Sequence, residues 1–347
     1  MRISWKGALG ILLSAALLWW AFHGIAWLDV WGKIRHANVP LLFASAIAAT
    51  GIFPLRARRW RTILDPVEPN IPFGKLWRST AIGMMVSNVV PARAGELARA
   101  YALSRETPRV PFSTAFASLA VDRVFDAVVI LLLMFGAMMD PAFPSGAQLG
   151  DQHVANYAGY GVGFTVLVIA ALYFVAIFPE RVIGLYELFA RRIAPRLEER
   201  GKDVLRAFAD GLGVLRSPMR FAAVIWWTLL HWLLNAFAFW IAFKAVGIPA
   251  PFSAALFLQG IIAIGVAIPS SPGFFGVFET SAKIGLAVYS VEPTLAVTWA
   301  IGFHLLSFIP ITLMGAYYFA RVGLTFDELR HAGRADGAEG DVAPQEA

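Results

Sequence analysis

The chain has no cysteine among its 347 residues. Disulfides and thiolate metal sites are therefore excluded. Charge is scarce as well. Asp, Glu, Lys and Arg make up 15% of residues, against about 25% in a soluble domain. The histidines, His23, His36, His153, His231, His304 and His331, are scattered and form no HxxxH-type ligand spacing. No metal site is expected from them. No glycine-rich nucleotide loop or other cofactor motif is present, so no cofactor is expected. What is abundant is apolar: 58% of residues are hydrophobic. The fold class expected is an all-α polytopic membrane protein, since in lipid every backbone polar group must be satisfied internally. The net charge of +6 is no argument for nucleic acid, because Lys and Arg in such a chain mostly report topology.

Six segments are long enough to cross a hydrocarbon core of about 30 Å. They are 7–28, 39–55, 112–139, 154–179, 220–244 and 294–320. The first lacks an Ala-x-Ala cleavage site and reads as a retained span, not a signal peptide. Two further apolar segments are interrupted. Ser79–Ala92 ends at Pro91, and Phe252–Ile268 runs into "PSSPGFFG" before "VFETSAKIGLAVYS". Residues from about Thr325 are polar and Ala/Gly-rich and read as a disordered tail.

Lys and Arg counts give an orientation. Arg2 and Lys6 precede the first span, "RARRWR" at Arg56–Arg61 follows the second, and Arg321 and Arg330 follow the last. The 180–218 segment holds eight, and the 140–153 loop none. By the positive-inside rule both termini, residues 56–78 and 180–218 are cytoplasmic. The expected location is a bacterial-type cytoplasmic membrane. With six full crossings, each interrupted segment must enter and leave from one side. So 39–139 reads span, hairpin (75–105), span. Residues 220–324 repeat that plan, with a hairpin at 252–291, in the opposite orientation. Residues 1–38 then form a first span and external loop, 140–219 a span and cytoplasmic segment, and 325–347 a cytoplasmic tail. Paired broken helices in an inverted repeat are the best sequence pointer to a transporter binding site. The alternative is eight plain spans kinked at Pro91 and Pro272.

The chemistry sits where the apolar runs break. In "NVVPARAGELARA" (88–100) Pro91 ends one helix, Gly95 permits a turn or close packing, and the next helix starts near Arg93. An Arg beside a free helix N-terminus is a phosphate site, because its planar fork grips two oxygens. Glu96 and Arg99 are three apart and can pair on one face. In "SPGFFGVFE" Pro272, Gly273 and Gly276 interrupt a helix, Glu279 opens the next, and Lys283 follows four residues on. "VDRVFD" places Asp122, Arg123 and Asp126 about 15 Å along a helix that starts at Phe112. Ionisable groups at mid-depth face the protein interior and are functional by default. The rival reading is an ion pair with Arg93 or Arg99 that only holds the hairpin in place. Asn88, His231, Asn235, Gln259 and His304 are lone polar groups, more often interhelical partners than ligands. Segment 180–218 has the pattern of an amphipathic helix pair broken at Pro195.

"RARRWRTIL", "NVVPARAGELARAYAL", "ASLAVDRVFDAVVILLL" and "IPSSPGFFGVFE" resemble the transmembrane flippase-like domain of lysylphosphatidylglycerol synthases and their stand-alone relatives. The resemblance covers about residues 40–320. It implies movement of a polar lipid between leaflets. It also implies roles for Pro91, Arg93, Gly95, Glu96, Arg99, Asp122, Arg123, Asp126, Pro272, Gly273, Gly276 and Glu279. Full synthases carry a soluble catalytic domain after the spans. Here 27 residues follow Ala320, so synthesis of an aminoacyl lipid is not expected.

The function expected is therefore a lipid translocase. Arg93 holds a phosphate, and Glu96, Asp122 and Glu279 hold a headgroup or a coupling proton. Its partners are membrane lipids, phospholipid, aminoacyl lipid or isoprenoid-linked lipid, together with a separate lipid-modifying enzyme. The rivals are an enzyme of lipid-linked sugar or phosphate transfer, and an accessory subunit of lipid, glycolipid or hopanoid synthesis.

Overall fold

A computed structural model of the chain describes residues 5–90, 94–144, 146, 148–149, 152–193, 201–202, 205–206, 217–267 and 271–329. The order of helices is α1 (Trp5–Phe22), α2 (Trp27–Arg35), α3 (Val39–Leu64), α4 (Phe73–Val89), α5 (Gly95–Glu106), α6 (Phe112–Met138), α7 (Val154–Ile177) and α8 (Pro179–Ile193). Then follow α9 (Pro218–Val246), α10 (Phe252–Ala267), a 3₁₀ turn (Pro272–Phe274), α11 (Val277–Ala287) and α12 (Pro293–Val322). A small antiparallel ribbon pairs Gln148–Leu149 with Gln152–His153. Among the described residues three helices, α3, α9 and α12, are long and apolar enough to cross a membrane.

Helix boundaries follow local chemistry. Asn38 caps α3, accepting from the Leu41 N–H at 3.1 Å, and Pro40 fits the first turn. Glu292 caps α12 ahead of Pro293. Gly247 and Gly323 end α9 and α12 in the left-handed conformation.

Two expected boundaries are corrected. The first span stops at Phe22, not Leu28, and residues 27–35 form a separate helix where a loop was expected. The second span does not stop at 55. The stripe Ala49, Phe53, Arg56, Trp60, Ile63 continues at helical spacing and is buried throughout, so α3 runs to Leu64. "RARRWR" is therefore helix, and two of its arginines are interior.

Two antiparallel helical hairpins are present. In the first, Arg78 of α4 pairs with Glu106 of α5 at one end, and Gly83 lies against Gly95 and Arg99 nearer the other. A Cβ on Gly95 would overlap the Gly83 carbonyl oxygen and Ser87 Oγ, so close packing, not a turn, requires glycine there. In the second, Gly285 of α11 lies against Leu258 of α10, and Gly265 against Ser281. Pro91 and Arg93 lie outside the described residues.

The packing partners of 39–138 and 218–322 match. Helices α3 and α9 lie against each other antiparallel along their length. The Asn38 N–H donates to the Ala245 carbonyl at 2.8 Å, Ser45 to the Ala238 carbonyl at 2.8 Å, and Arg59 to Thr228 at 3.3 Å. Helix α4 packs on α12, and its counterpart α10 packs on α6. Within each half, the second hairpin helix packs on the long helix that follows. The 3₁₀ turn of the second hairpin rests on α4 of the first.

Of the 180–218 segment, α8 is described, while Pro195 and most of the expected second helix lie outside the described residues. The tail expected from Thr325 begins with an ordered stretch. Thr325 N–H donates to Glu328 at 2.8 Å, and Glu328 pairs with Arg105 of α5 at 2.6 Å. The Thr325 amide and then Arg105 hold the Glu328 carboxyl below the usual carboxylate range.

Candidate functional site

Asp122 and Asp126 are four residues apart on α6, share a face, and are buried. Two buried carboxylates side by side repel and must be answered by cations. Arg59 of α3 answers both. Its Nε donates to Asp122 Oδ1 at 2.6 Å and its Nη1 to Asp126 Oδ1 at 2.6 Å. Only a planar guanidinium reaches two carboxylates in this way. Helix α9 completes the enclosure. Trp232 Nε1 donates to Asp126 Oδ1 at 2.8 Å, and Thr228 Oγ1 accepts from Arg59. His231 Nδ1 stands 3.8 Å from Asp126. Arg99 of α5 reaches Asp122 Oδ2 at 3.4 Å and lies over the Trp60 ring, 4.2 Å from its centroid. Trp60 in turn donates to Ser118 at 2.8 Å. One network therefore joins α3, α5, α6 and α9.

This corrects several sequence expectations. The partner of the aspartates is mainly Arg59, with Arg99 second. Glu96 and Arg99 do not pair with each other. Glu96 pairs with Arg123 of α6, and Arg99 turns to Asp122. Arg123 also reaches Asp126 at 3.4 Å, and its side chain is 44% exposed, so it is not enclosed like its neighbours. Asn88 donates to Thr312 of α12 at 2.7 Å. Lys283 does not meet Glu279. It donates to the Trp20 and Ala21 carbonyls near the end of α1 and lies over the Trp20 ring.

Arg56 stands one turn before Arg59 and is buried in the same region. Its described hydrogen bond is to Met84 Sδ at 3.5 Å, and its Nε and Nη2 have no partner. Arg59 Nη2, Arg99 Nε and Nη2, and Glu96 Oε2 are also buried without a partner. Among the described residues the cluster holds four guanidiniums (56, 59, 99, 123) and three carboxylates (96, 122, 126), an excess of one positive charge. Sequence reading missed Arg56 and Arg59 because an arginine run after an apolar stretch reads as a topology signal. The usable signal was their spacing of three, which keeps both on the apolar stripe of α3.

Glu279 sits in a second cluster. Its Oε2 accepts the Gly276 N–H at 2.7 Å and its Oε1 meets His304 Nδ1 at 2.7 Å. His304 Nε2 lies 2.8 Å from the Gly273 carbonyl. No described contact joins Glu279 to the Arg59 cluster, so a single site shared by both hairpins is not what the described contacts form. The two clusters are linked through α4, on which the Pro272–Phe274 turn rests. No group of three or more metal-ligating side chains occurs among the described residues.

The sequence matches the lysylphosphatidylglycerol synthase TM region over residues 7–315. The chain belongs to this family. Among relatives, a UPF0104 membrane protein of Methanothermobacter thermautotrophicus is 24% identical over 341 residues, 93% of this chain and 95% of that protein. A second from the same organism is 26% identical over 76% of this chain and 79% of its own. Glycosyltransferase AglD of Haloferax volcanii is 26% identical over 80% of this chain but only 48% of its own length. No solved structure matches. Family membership and the apolar helices make this a multi-pass membrane protein.

Proposed function

We propose that this member of the family is a lipid translocase that moves a phosphate-bearing lipid between leaflets. The observation that carries the reading is Arg56. A buried cation without a carboxylate partner costs several kcal/mol, and a chain keeps such a group in a membrane domain for a ligand or a pathway. Its free Nε and Nη2, with those of Arg99, offer donors that a phosphate diester accepts. The carboxylates around them set the geometry of the fork. Arg93, two residues before Gly95 in the sequence, adds a further donor in this reading. The two hairpins enter from opposite faces as an inverted repeat, which the antiparallel α3–α9 pair and the matched packing support. In this reading both termini face the cytoplasm, the host membrane is the cytoplasmic one, and a separate enzyme supplies the lipid. The protein itself is a transporter, not an enzyme.

A second reading rests on AglD. That relative is named a glycosyltransferase, and this chain matches about half of it. A role within lipid-linked sugar assembly follows if the matched half serves the transfer. Purified protein in liposomes separates the two. The translocase moves a labelled phosphatidylglycerol with no nucleotide-sugar present. The assembly role predicts no movement until a donor or partner enzyme is added.

A further inference from the structure

We propose that Glu279 and His304 form a proton-binding site, and that its occupancy controls the turn of the second hairpin and couples lipid movement to a proton gradient. The coupling half rests on the translocase reading above. The proton site itself does not.

His304 Nδ1 is 2.7 Å from Glu279 Oε1, and Nε2 is 2.8 Å from the Gly273 carbonyl. Both partners are acceptors. Making both bonds needs two labile protons: one on Nε2, and one between Nδ1 and the carboxylate. The count is the same wherever the second proton rests. Removing one proton breaks the arrangement. If Nδ1–H stays, the Nε2 lone pair faces the Gly273 carbonyl. If Nε2–H stays, the Nδ1 lone pair faces the carboxylate.

Aromatic rings flank the imidazole. The Phe275 and Phe278 rings each lie 4.5 Å from the His304 ring, centroid to centroid. An aromatic face attracts a cation. No other titratable side chain among the described residues contacts the pair. Lys283, on α11, is turned to the end of α1. On α4, Asn88 is spent on Thr312, and on α9, Asn235 is bonded to Gln259. Ser307 donates to the His304 carbonyl, not to the ring.

The turn that His304 holds is strained. Gly273, Phe274 and Gly276 all have positive φ, at 67°, 61° and 88°. Phe274 has no glycine freedom, so surrounding bonds must hold it there. The bond to Gly273 is one of them. The same turn rests on α4, whose hairpin partner α5 carries Glu96 and Arg99. Proton loss would therefore loosen a segment seated on α4, the hairpin partner of the helix that carries Glu96 and Arg99.

The matching position in the other half holds a parallel pair. There, too, a Glu in the first turn of the second hairpin helix meets a base on the following long helix. Glu96 meets Arg123, 27 residues on, and Glu279 meets His304, 25 residues on. An arginine keeps its charge at any working pH, while a histidine does not. One half is a fixed pair and the other can load and unload.

Two measurements on the full-length chain test this. The first is a pH titration of imidazole nitrogens by ¹⁵N NMR in micelles, with His304→Gln to assign the signal. We expect His304 to bear two protons, counting the shared one, and to lose one in a single step that also shifts the Gly273 carbonyl. A His304–Glu279 pair that carries a single proton between them at every pH overturns the site. The second measures labelled phosphatidylglycerol movement in liposomes under imposed pH gradients, with a protonophore control. Wild type should respond several-fold to the gradient, and Glu279→Gln and His304→Gln should not respond. A gradient response retained in both variants overturns the coupling. No movement in wild type under any gradient sinks the translocase reading, and the NMR titration still decides the proton site. If the variants fail to insert, the wild-type titration of Gly273 decides it alone.

Discussion

Arg56 and Arg59 are one helical turn apart, both buried, and chemically identical, yet they should behave in opposite ways when replaced by Met. Arg59 serves two buried carboxylates at 2.6 Å each. Without it Asp122 keeps Arg99 at 3.4 Å, and Asp126 keeps Arg123 at 3.4 Å together with the Trp232 N–H. Stranding one member of a buried pair costs about 3–5 kcal/mol, and two aspartates share this one partner. Arg59→Met should therefore destabilise by at least about 3 kcal/mol. Arg59→Lys keeps the charge but cannot reach both aspartates in one plane. It should lose one charge-assisted bond, about 1.5–3 kcal/mol. Arg56 has no carboxylate partner to strand. Removing a buried charge that has no partner also removes its desolvation penalty of several kcal/mol. Arg56→Met should thus match or exceed wild type in thermal unfolding of the micelle-bound protein, and lose lipid movement. If Arg56→Met falls as far as Arg59→Met, Arg56 is paired in the folded protein and the charge-excess argument fails.

Three further outcomes are expected. Gly95→Ala must fit a Cβ against the Gly83 carbonyl and Ser87, an overpacking cost of about 1–3 kcal/mol. Gly136→Ala meets open space on α6 and should gain up to about 1 kcal/mol of helix propensity. Melting temperatures that rank the two the other way would contradict the packing described. The Glu328 carboxyl is held below its ordinary range, so its docking contribution is complete above the unfolded carboxylate pKa and is lost as pH falls through the folded value. Protection of the 325–329 amides, taken relative to the base-catalysed intrinsic exchange rate, should fall in acid and hold in mild base, and the opposite trend would refute the Arg105 contact. Accessibility tags after Ala320 and at Pro195 should label from the cytoplasm and one at Gly146 from outside. Gly146 and Pro195 on one side would defeat the six-crossing arrangement.

The long helices were legible because their apolar runs exceed the bilayer thickness and are closed by capping chemistry at Asn38, Glu292, Gly247 and Gly323. The helix pairs α4–α5 and α10–α11 were legible as breaks in otherwise apolar segments. The aspartates were legible as charge inside an apolar helix. Their partner was not, because pairing between α3 and α6 is tertiary and 63 residues separate Arg59 from Asp122. Local spacing misled twice. Glu96–Arg99 and Glu279–Lys283 have helical pairing distances, but each member meets a partner on another helix instead. His304 looked like an isolated polar residue, because nothing in one sequence reveals that a hairpin turn and a carboxylate will face its two nitrogens. The end of α3 was misplaced because an arginine run suggests a loop unless its helical spacing is counted.

The central claim is that an unpaired buried guanidinium receives a lipid phosphate. The direct test is the rate of leaflet exchange of two labelled lipids, phosphatidylglycerol and a diacylglycerol of the same chains, in liposomes holding wild type or Arg56→Met. The account predicts that wild type accelerates the phosphate-bearing lipid selectively and that Arg56→Met, present in equal amount and equally stable, removes that selectivity. Equal acceleration of both lipids by wild type, or full selectivity in Arg56→Met, contradicts it.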